Sequence, residues 1–157
     1  MPIYKISFLI NPISGGGIGK RVYQQLPQIM AAFGFNKNEW ICEYTQREKL
    51  IPQTDYLLEQ STRLIAVGGD GTIGFILQRL QILDKLNTEV GIIPLGTGND
   101  LSRSLGIYRV YDHHGLLAVT KRLIKANTVS LDIWRVNQTH TLAAYLSAGM
   151  DANILHQ

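Results

Sequence analysis

Apolar blocks of strand length recur along the chain as "YKISFLINP", "EWICEYT", "RLIAVGG" and "EVGIIPLG", with stretches of helical periodicity between them. Their apolar runs are uninterrupted rather than alternating, which is the pattern of strands covered on both faces of a sheet. From Arg21 to Phe33 the apolar residues Val22, Leu26, Ile29, Met30 and Phe33 fall on one helical face. Pro27 lies inside that pattern and predicts a kink or a late helix start. A weaker helix is expected over residues 50–60, with Pro52 in its first turn. After the third block, Ile73, Ile76, Leu77, Leu80 and Leu83 form a strong helical stripe. Strand then helix, repeated, implies an α/β domain over residues 1–127: a doubly wound, mostly parallel sheet with flanking helices.

The pattern changes near residue 128, where "TVSLDIWRVN" and "HTLAAYLSAGMD" follow each other with no helical segment between them. Val129, Leu131 and Ile133 alternate as in a half-buried antiparallel strand, so residues 128–157 read as the truncated start of a β-rich second domain. The chain of 157 residues, 45% hydrophobic and 17% charged, is long enough for one proper core. No apolar run approaches the roughly 20 residues of a membrane span. The single cysteine, Cys42, cannot form an intrachain disulfide, and no leader-like segment opens the sequence, which together favour a cytoplasmic location. Cys42 reads as a small buried strand residue. A formal net charge of +3 from dispersed basic residues suits an anionic ligand or a membrane surface and gives no case for nucleic acid. Oligomeric state leaves no mark in the sequence.

Three glycine-rich loops, "NPISGGGIGKR", "GGDGT" and "PLGTGND", follow apolar blocks, at the carboxyl ends of strands where open α/β sheets bind ligands. Glycine lets backbone amides turn toward an anion, and a following helix N-terminus adds partial positive charge. The first loop fails the P-loop pattern, because Ser14 stands where glycine is required and Arg21 where the magnesium-binding hydroxyl should be. It reads instead as a phosphate-contacting turn, with Asn11, Ser14 and Lys20 as polar contributors and Gly15, Gly16 and Gly17 presenting backbone. The second loop fits G-x-G-x-x-G from Gly69 to Gly74, yet the acid a dinucleotide fold needs about 20 residues on is missing from the right place. Glu89 has that spacing but precedes the fourth strand. Asp70 is the stronger objection, since a carboxylate facing a pyrophosphate is repelled unless a cation or a proton transfer uses it. Phosphoryl transfer does use such an acid, to organise metal or to accept a hydroxyl proton. Thr72 is placed to cap the next helix and to meet a phosphate.

Together, "VGGDGTIGFIL" and "IIPLGTGNDLSRSLG" resemble the catalytic domain of the diacylglycerol kinases, in the wider group of sphingosine kinases and, more remotely, NAD kinases. "LDIWRV" and "YLSAGMDA" look like the segments leading into that family's β-sandwich, and Gly74-Phe75 is closer to the eukaryotic variant of the motif than to the bacterial one. The resemblance implies transfer of the γ-phosphoryl group of ATP, with Mg2+, to the hydroxyl of diacylglycerol or a related lipid at a membrane surface. It implies nucleotide contacts at Asn11, Ser14, Gly15, Gly16, Gly17, Gly68, Gly69, Gly71, Thr72, Thr97, Gly98 and Asn99, with Thr45 near the adenosine. Asp70 matches the family acid, either as the base or as a metal-organising group beside an acid of the second domain. The expected chain is then a fragment that keeps the nucleotide surface, associates peripherally with membrane when acting on lipid, and is weak as a kinase alone. The alternatives are an NAD kinase-like phosphotransferase, which would need another motif in place of "PLGTGND", and a nucleotide-binding regulatory module without catalysis. His113-His114 is expected to be a solvated helix start, Tyr108 and Tyr111 with Arg103 and Arg109 an amphipathic surface, and Trp40 and Trp134 strand residues packed on the core.

Overall fold

The computed structural model describes residues 4–136 and 140–142. Strands β1 (Tyr4–Ile10), β2 (Trp40–Tyr44), β3 (Ser61–Gly68) and β4 (Glu89–Pro94) form one sheet in the order β2-β1-β3-β4, parallel at every pairing. Helices α1 (Ser14–Ala32), α2 (Leu50–Gln60), α3 (Asp70–Ile82), α4 (Asp100–Ser104) and α5 (Ile107–Lys125) connect and cover it. Short strands β5 (Trp134–Val136) and β6 (His140–Leu142) pair antiparallel, with Trp134 opposite Leu142. The chain runs from β1 outward to β2 and then returns past β1 to β3, so the strand order reverses between β1 and β3. Ligands of open α/β sheets bind at such a reversal.

Both faces of the sheet are sealed, as the uninterrupted apolar blocks require. On one face Phe8, Ile10, Ile65, Val67 and Ile93 pack with Val22, Leu26 and Met30 of α1 and with Val119 and Leu123 of α5. On the other, Leu9, Leu64, Ala66 and Ile92 pack with Leu57 and Leu58 of α2 and Ile73, Ile76, Leu77 and Leu80 of α3. Alternate residues of β3 thus serve opposite layers, which is the period-two geometry of a strand applied to two cores. Ion pairs tie the layers together at their edges. Arg63 on β3 meets Glu89 on β4 at 2.6 Å and donates to the carbonyls of Leu123, Ile124 and Ala126, closing the C-terminal end of α5. Arg79 of α3 forks onto Asp55 of α2 at 2.7 and 2.6 Å.

Several expectations are corrected. The backbone keeps helical angles through Pro27; the departures in α1 lie at Gly15, Gly16 and Gly17. Pro27 is exposed, so its ring faces solvent while the apolar stripe stays on the sheet. β2 is an edge strand, and Cys42 on it is half-buried, its thiol pushed up to about 11 by burial. Trp40 does pack, edge-on to Phe8 with ring centroids 6.1 Å apart, but Trp134 is 72% exposed. The half-buried strand expected from Val129 starts only at Trp134, because Val129 is exposed and residues 126–133 carry no regular structure. His113-His114 lies at the end of the first half of α5, which begins at Ile107, and directly precedes a break at Gly115. "AYLSAGMDA" falls outside the described residues.

Thr120 of α5 is fully buried, and among the described residues its hydroxyl has no hydrogen-bond partner. A buried hydroxyl without a partner costs stability that an apolar group of the same shape does not. Thr120→Val is therefore expected to raise the unfolding free energy by about 1 kcal/mol, read as a higher urea midpoint at unchanged slope; a lower midpoint would contradict the assignment.

Candidate active site

Beyond the strand ends, the sheet pairing continues for one residue and sets the loops in register. Asn11 N donates to Val67 O at 2.9 Å, Thr45 N to Ile10 O at 2.8 Å, and Leu95 N to Gly68 O at 2.8 Å. The loops after β1, β2, β3 and β4 consequently open onto one rim. Between them lies a cleft of about 900 Å³, at the reversal of strand order. Its volume sits in the upper part of the range of small-ligand sites.

The first loop leaves β1 through an Asx turn, with Ile13 N donating to Asn11 Oδ1 at 3.2 Å. Gly15, Gly16 and Gly17 then take φ of 62°, 64° and 96°, three consecutive left-handed residues. Any other residue type there would cost roughly 1–2 kcal/mol per position, so the glycine run is a requirement of this turn. Gly19 closes the loop from behind: a Cβ at that position would stand 2.1 Å from the Asn11 carbonyl oxygen.

The second and third loops touch backbone to backbone. A Cβ on Gly69 would lie 2.9 Å from Gly96 Cα, and one on Gly96 would lie 2.5 Å from Gly69 Cα. Gly68 is closed in the same way by the Thr72 hydroxyl, 2.4 Å from where its Cβ would be. Helix α3 starts with Gly69 as its N-cap, which offers no side-chain bond, so Thr72 is a first-turn residue rather than a cap. In the third loop Asn99 is buried and left-handed, at φ 55°. Its Oδ1 accepts from Gly96 N at 2.8 Å and its Nδ2 donates to Gly96 O at 2.5 Å, which folds the turn onto itself.

Asp70 stands where these loops meet. One carboxylate oxygen accepts from Leu101 N at 3.3 Å, serving the first turn of α4 in the way an N-cap side chain does. The other would be 3.1 Å from a Cβ on Gly98, and the Asp100 carboxylate would be 3.2 Å from the same point. Two carboxylates therefore flank Gly98, an arrangement of hard oxygen donors that fits a small divalent cation shared with a phosphate ligand. Among the described residues no group of three acids, histidines or cysteines gathers at one point.

Of the residues singled out in the sequence, Asn11, Ser14, Gly15, Gly16, Thr45, Gly69, Gly71, Thr72 and Thr97 line the cleft. Gly17, Gly68, Asp70, Gly98 and Asn99 belong to the same loops but do not line the cleft. Sequence reasoning missed the apolar wall of Ile13, Leu50, Phe75 and Leu95, whose members read as ordinary helix or strand residues. It also missed Gln53, whose side chain donates to Tyr44 O at 2.9 Å and accepts from Gln46 N at 3.3 Å, pinning the turn that carries Thr45. Arg103, expected on an amphipathic surface, is a loop clamp. Its Nε donates to Gly98 O at 2.7 Å and its guanidinium lies 3.7 Å over the Tyr108 ring. Tyr111 is half-buried, and burial foremost raises its hydroxyl, with Tyr108 adding to the rise and Arg21 opposing it. Glu89, the acid a dinucleotide fold would have needed, sits at the opposite end of the sheet, paired with Arg63.

The comparisons agree with this architecture. The chain is 38% identical over 136 residues to diacylglycerol kinase 1 of Drosophila melanogaster, covering 84% of this chain and 10% of that protein. It is 32% identical over 126 residues to human diacylglycerol kinase zeta, covering 80% of this chain and 13% of that protein. It thus spans a small part of the length of the curated relatives it matches. A diacylglycerol kinase structure from Bacillus anthracis superposes with a TM-score of 0.69 at 24% identity, over 89% of this chain and 48% of that one, which speaks to the fold. Residues 5–136 match the family profile described as the diacylglycerol kinase catalytic domain. With the loops, the sheet order and most of its length accounted for in this way, the chain belongs to the diacylglycerol kinase catalytic domain family.

Proposed function

We propose that this chain forms the nucleotide-binding part of a lipid kinase that moves the γ-phosphoryl group of ATP onto the hydroxyl of diacylglycerol or a related lipid. The observation that carries the reading is the convergence of three glycine-rich loops at the reversal of strand order, with Asp70 and Asp100 flanking Gly98 at one end. Phosphoryl transfer asks a protein chiefly for positioning and for electrostatic support, and these loops supply both. In the reaction the bond from the lipid oxygen to the γ-phosphorus forms as the bond from that phosphorus to the β,γ-bridging oxygen breaks. ADP leaves, and the hydroxyl proton passes to a carboxylate base: Asp70, or an acid outside residues 1–127 with Asp70 organising the metal.

In this reading Ser14, Gly15, Gly16, Gly71, Thr72 and Thr97 face the phosphates, while Thr45, Ile13, Leu50 and Phe75 receive the adenosine. Gly17, Gly68, Gly98 and Asn99 hold the backbone in shape. Mg2+, when bound, supplies charge neutralisation at the phosphates, and one or two carboxylates with phosphate oxygens are its usual company. We assign Asp70 the organising role: its Oδ1 accepts from the Leu101 amide at 3.3 Å and its Oδ2 lies toward Gly98, near the Asp100 carboxylate, so two carboxylates stand at one side of the third loop. No helix among the described residues is long and apolar enough to cross a membrane, so lipid would be met at a surface.

ATP with Mg2+ at about a hundred times its dissociation constant is expected to add roughly 2.7 kcal/mol of stability, visible as a raised melting temperature, with no response to NADH. Protection by NADH without protection by ATP would reverse the reading. Asp70→Asn is expected to raise the Mg2+ concentration needed for ATP protection by roughly tenfold, about the loss of one charge-assisted contact, while metal-free ATP binding is unchanged. An unchanged Mg2+ requirement together with abolished phosphoryl transfer would make Asp70 the base instead.

A further inference from the structure

Helix α5 is broken at Gly115, where φ is 74° and ψ is −170°. That region of backbone space is open essentially to glycine alone, so Gly115 permits the break. In an unbroken helix Arg109 and Arg122 would stand roughly 20 Å apart along the axis. The break brings them to one cavity of about 500 Å³, together with His113, His114, Gly106 and Val110. This cavity shares no residue with the cleft at the strand ends.

Arg109, His113, His114 and Arg122 are all exposed around the elbow. Arg63 and Arg79, which lie closer to the interior, are answered by Glu89 and Asp55. Among the described residues, the side chains of Arg109 and Arg122 have neither an ion pair nor a hydrogen bond. The acid on the same element is exposed Asp112, whose Oδ2 lies 3.9 Å from His113 Nε2. Two guanidinium groups and two imidazoles lining one hollow are a donor set suited to an oxyanion.

We propose that the elbow of α5 is a second anion site, which takes a phosphate group independently of the nucleotide cleft. The group arrives either as the headgroup of an acidic phospholipid or as a free phosphate, and the chemistry of recognition is the same. The test titrates inorganic phosphate into the full chain and follows the imidazole resonances of His113 and His114 by NMR. Saturable shifts are expected, with affinity falling by roughly tenfold or more in the Arg109→Gln/Arg122→Gln variant, as for the loss of one or more charge-assisted hydrogen bonds. Cosedimentation with phosphatidylcholine vesicles, with and without phosphatidate, separates the sources. Retention on phosphatidate vesicles that the double variant loses assigns the headgroup, and phosphate binding without retention assigns a soluble phosphate. Imidazole signals that do not move, or that move equally in the variant, overturn the site. ATP protection is measured on the same variant: its persistence shows that the fold and cleft are intact. Its absence from the wild-type chain alongside saturable imidazole shifts would remove the kinase reading and leave this site standing.

Discussion

Gly69 and Gly96 meet with nothing between their backbones, and the width of the cleft follows from that contact. β3 and β4 are neighbours in the sheet, with Gly68 opposite Pro94, so the loops that leave them are already at strand spacing. Side chains at 69 or 96 would force the loops apart by the width of a methyl group, and everything hung on them would shift. Gly68 against Thr72 and Gly19 against Asn11 repeat the device on either side. The rim is thus built from backbone in close contact, and that contact fixes the spacing of the loops around the cleft.

This constraint explains what was legible in the sequence. The strands and α3 were, because burial on two faces leaves uninterrupted apolar runs and a helical stripe that no other arrangement produces. The three loops were legible because positive φ and backbone contact both demand glycine. Less legible was anything decided by the direction of approach. Pro27 looked disruptive, yet the helix keeps its angles through it, with the ring on the exposed side. Trp134 looked like a core residue by composition, but it stands 72% exposed on a two-stranded ladder. Arg103 read as surface charge, and only the fold of the third loop puts Gly98 O under its Nε.

Asp70 is the most instructive residue of this kind. Its type and its place in "GGDGT" marked it as chemical, whereas its partners could not be read, because Gly98 and Leu101 come from the third loop and the start of α4, some thirty residues on. The carboxylate accepts from the Leu101 amide in the first turn of α4, a helix of five residues too short to hold itself. α4 in turn is seated by buried Leu101, by Ser102 Oγ donating to Asn99 O at 2.9 Å, and by the Asn99 and Arg103 clamps on the turn before it. The orientation of one acid therefore depends on a chain of contacts that runs through residues outside the cleft lining. Asn99 shows how far this reaches: its side chain spends both polar ends on the Gly96 peptide, so within this fold its influence on any ligand passes through the shape of the turn and the aim of Asp70.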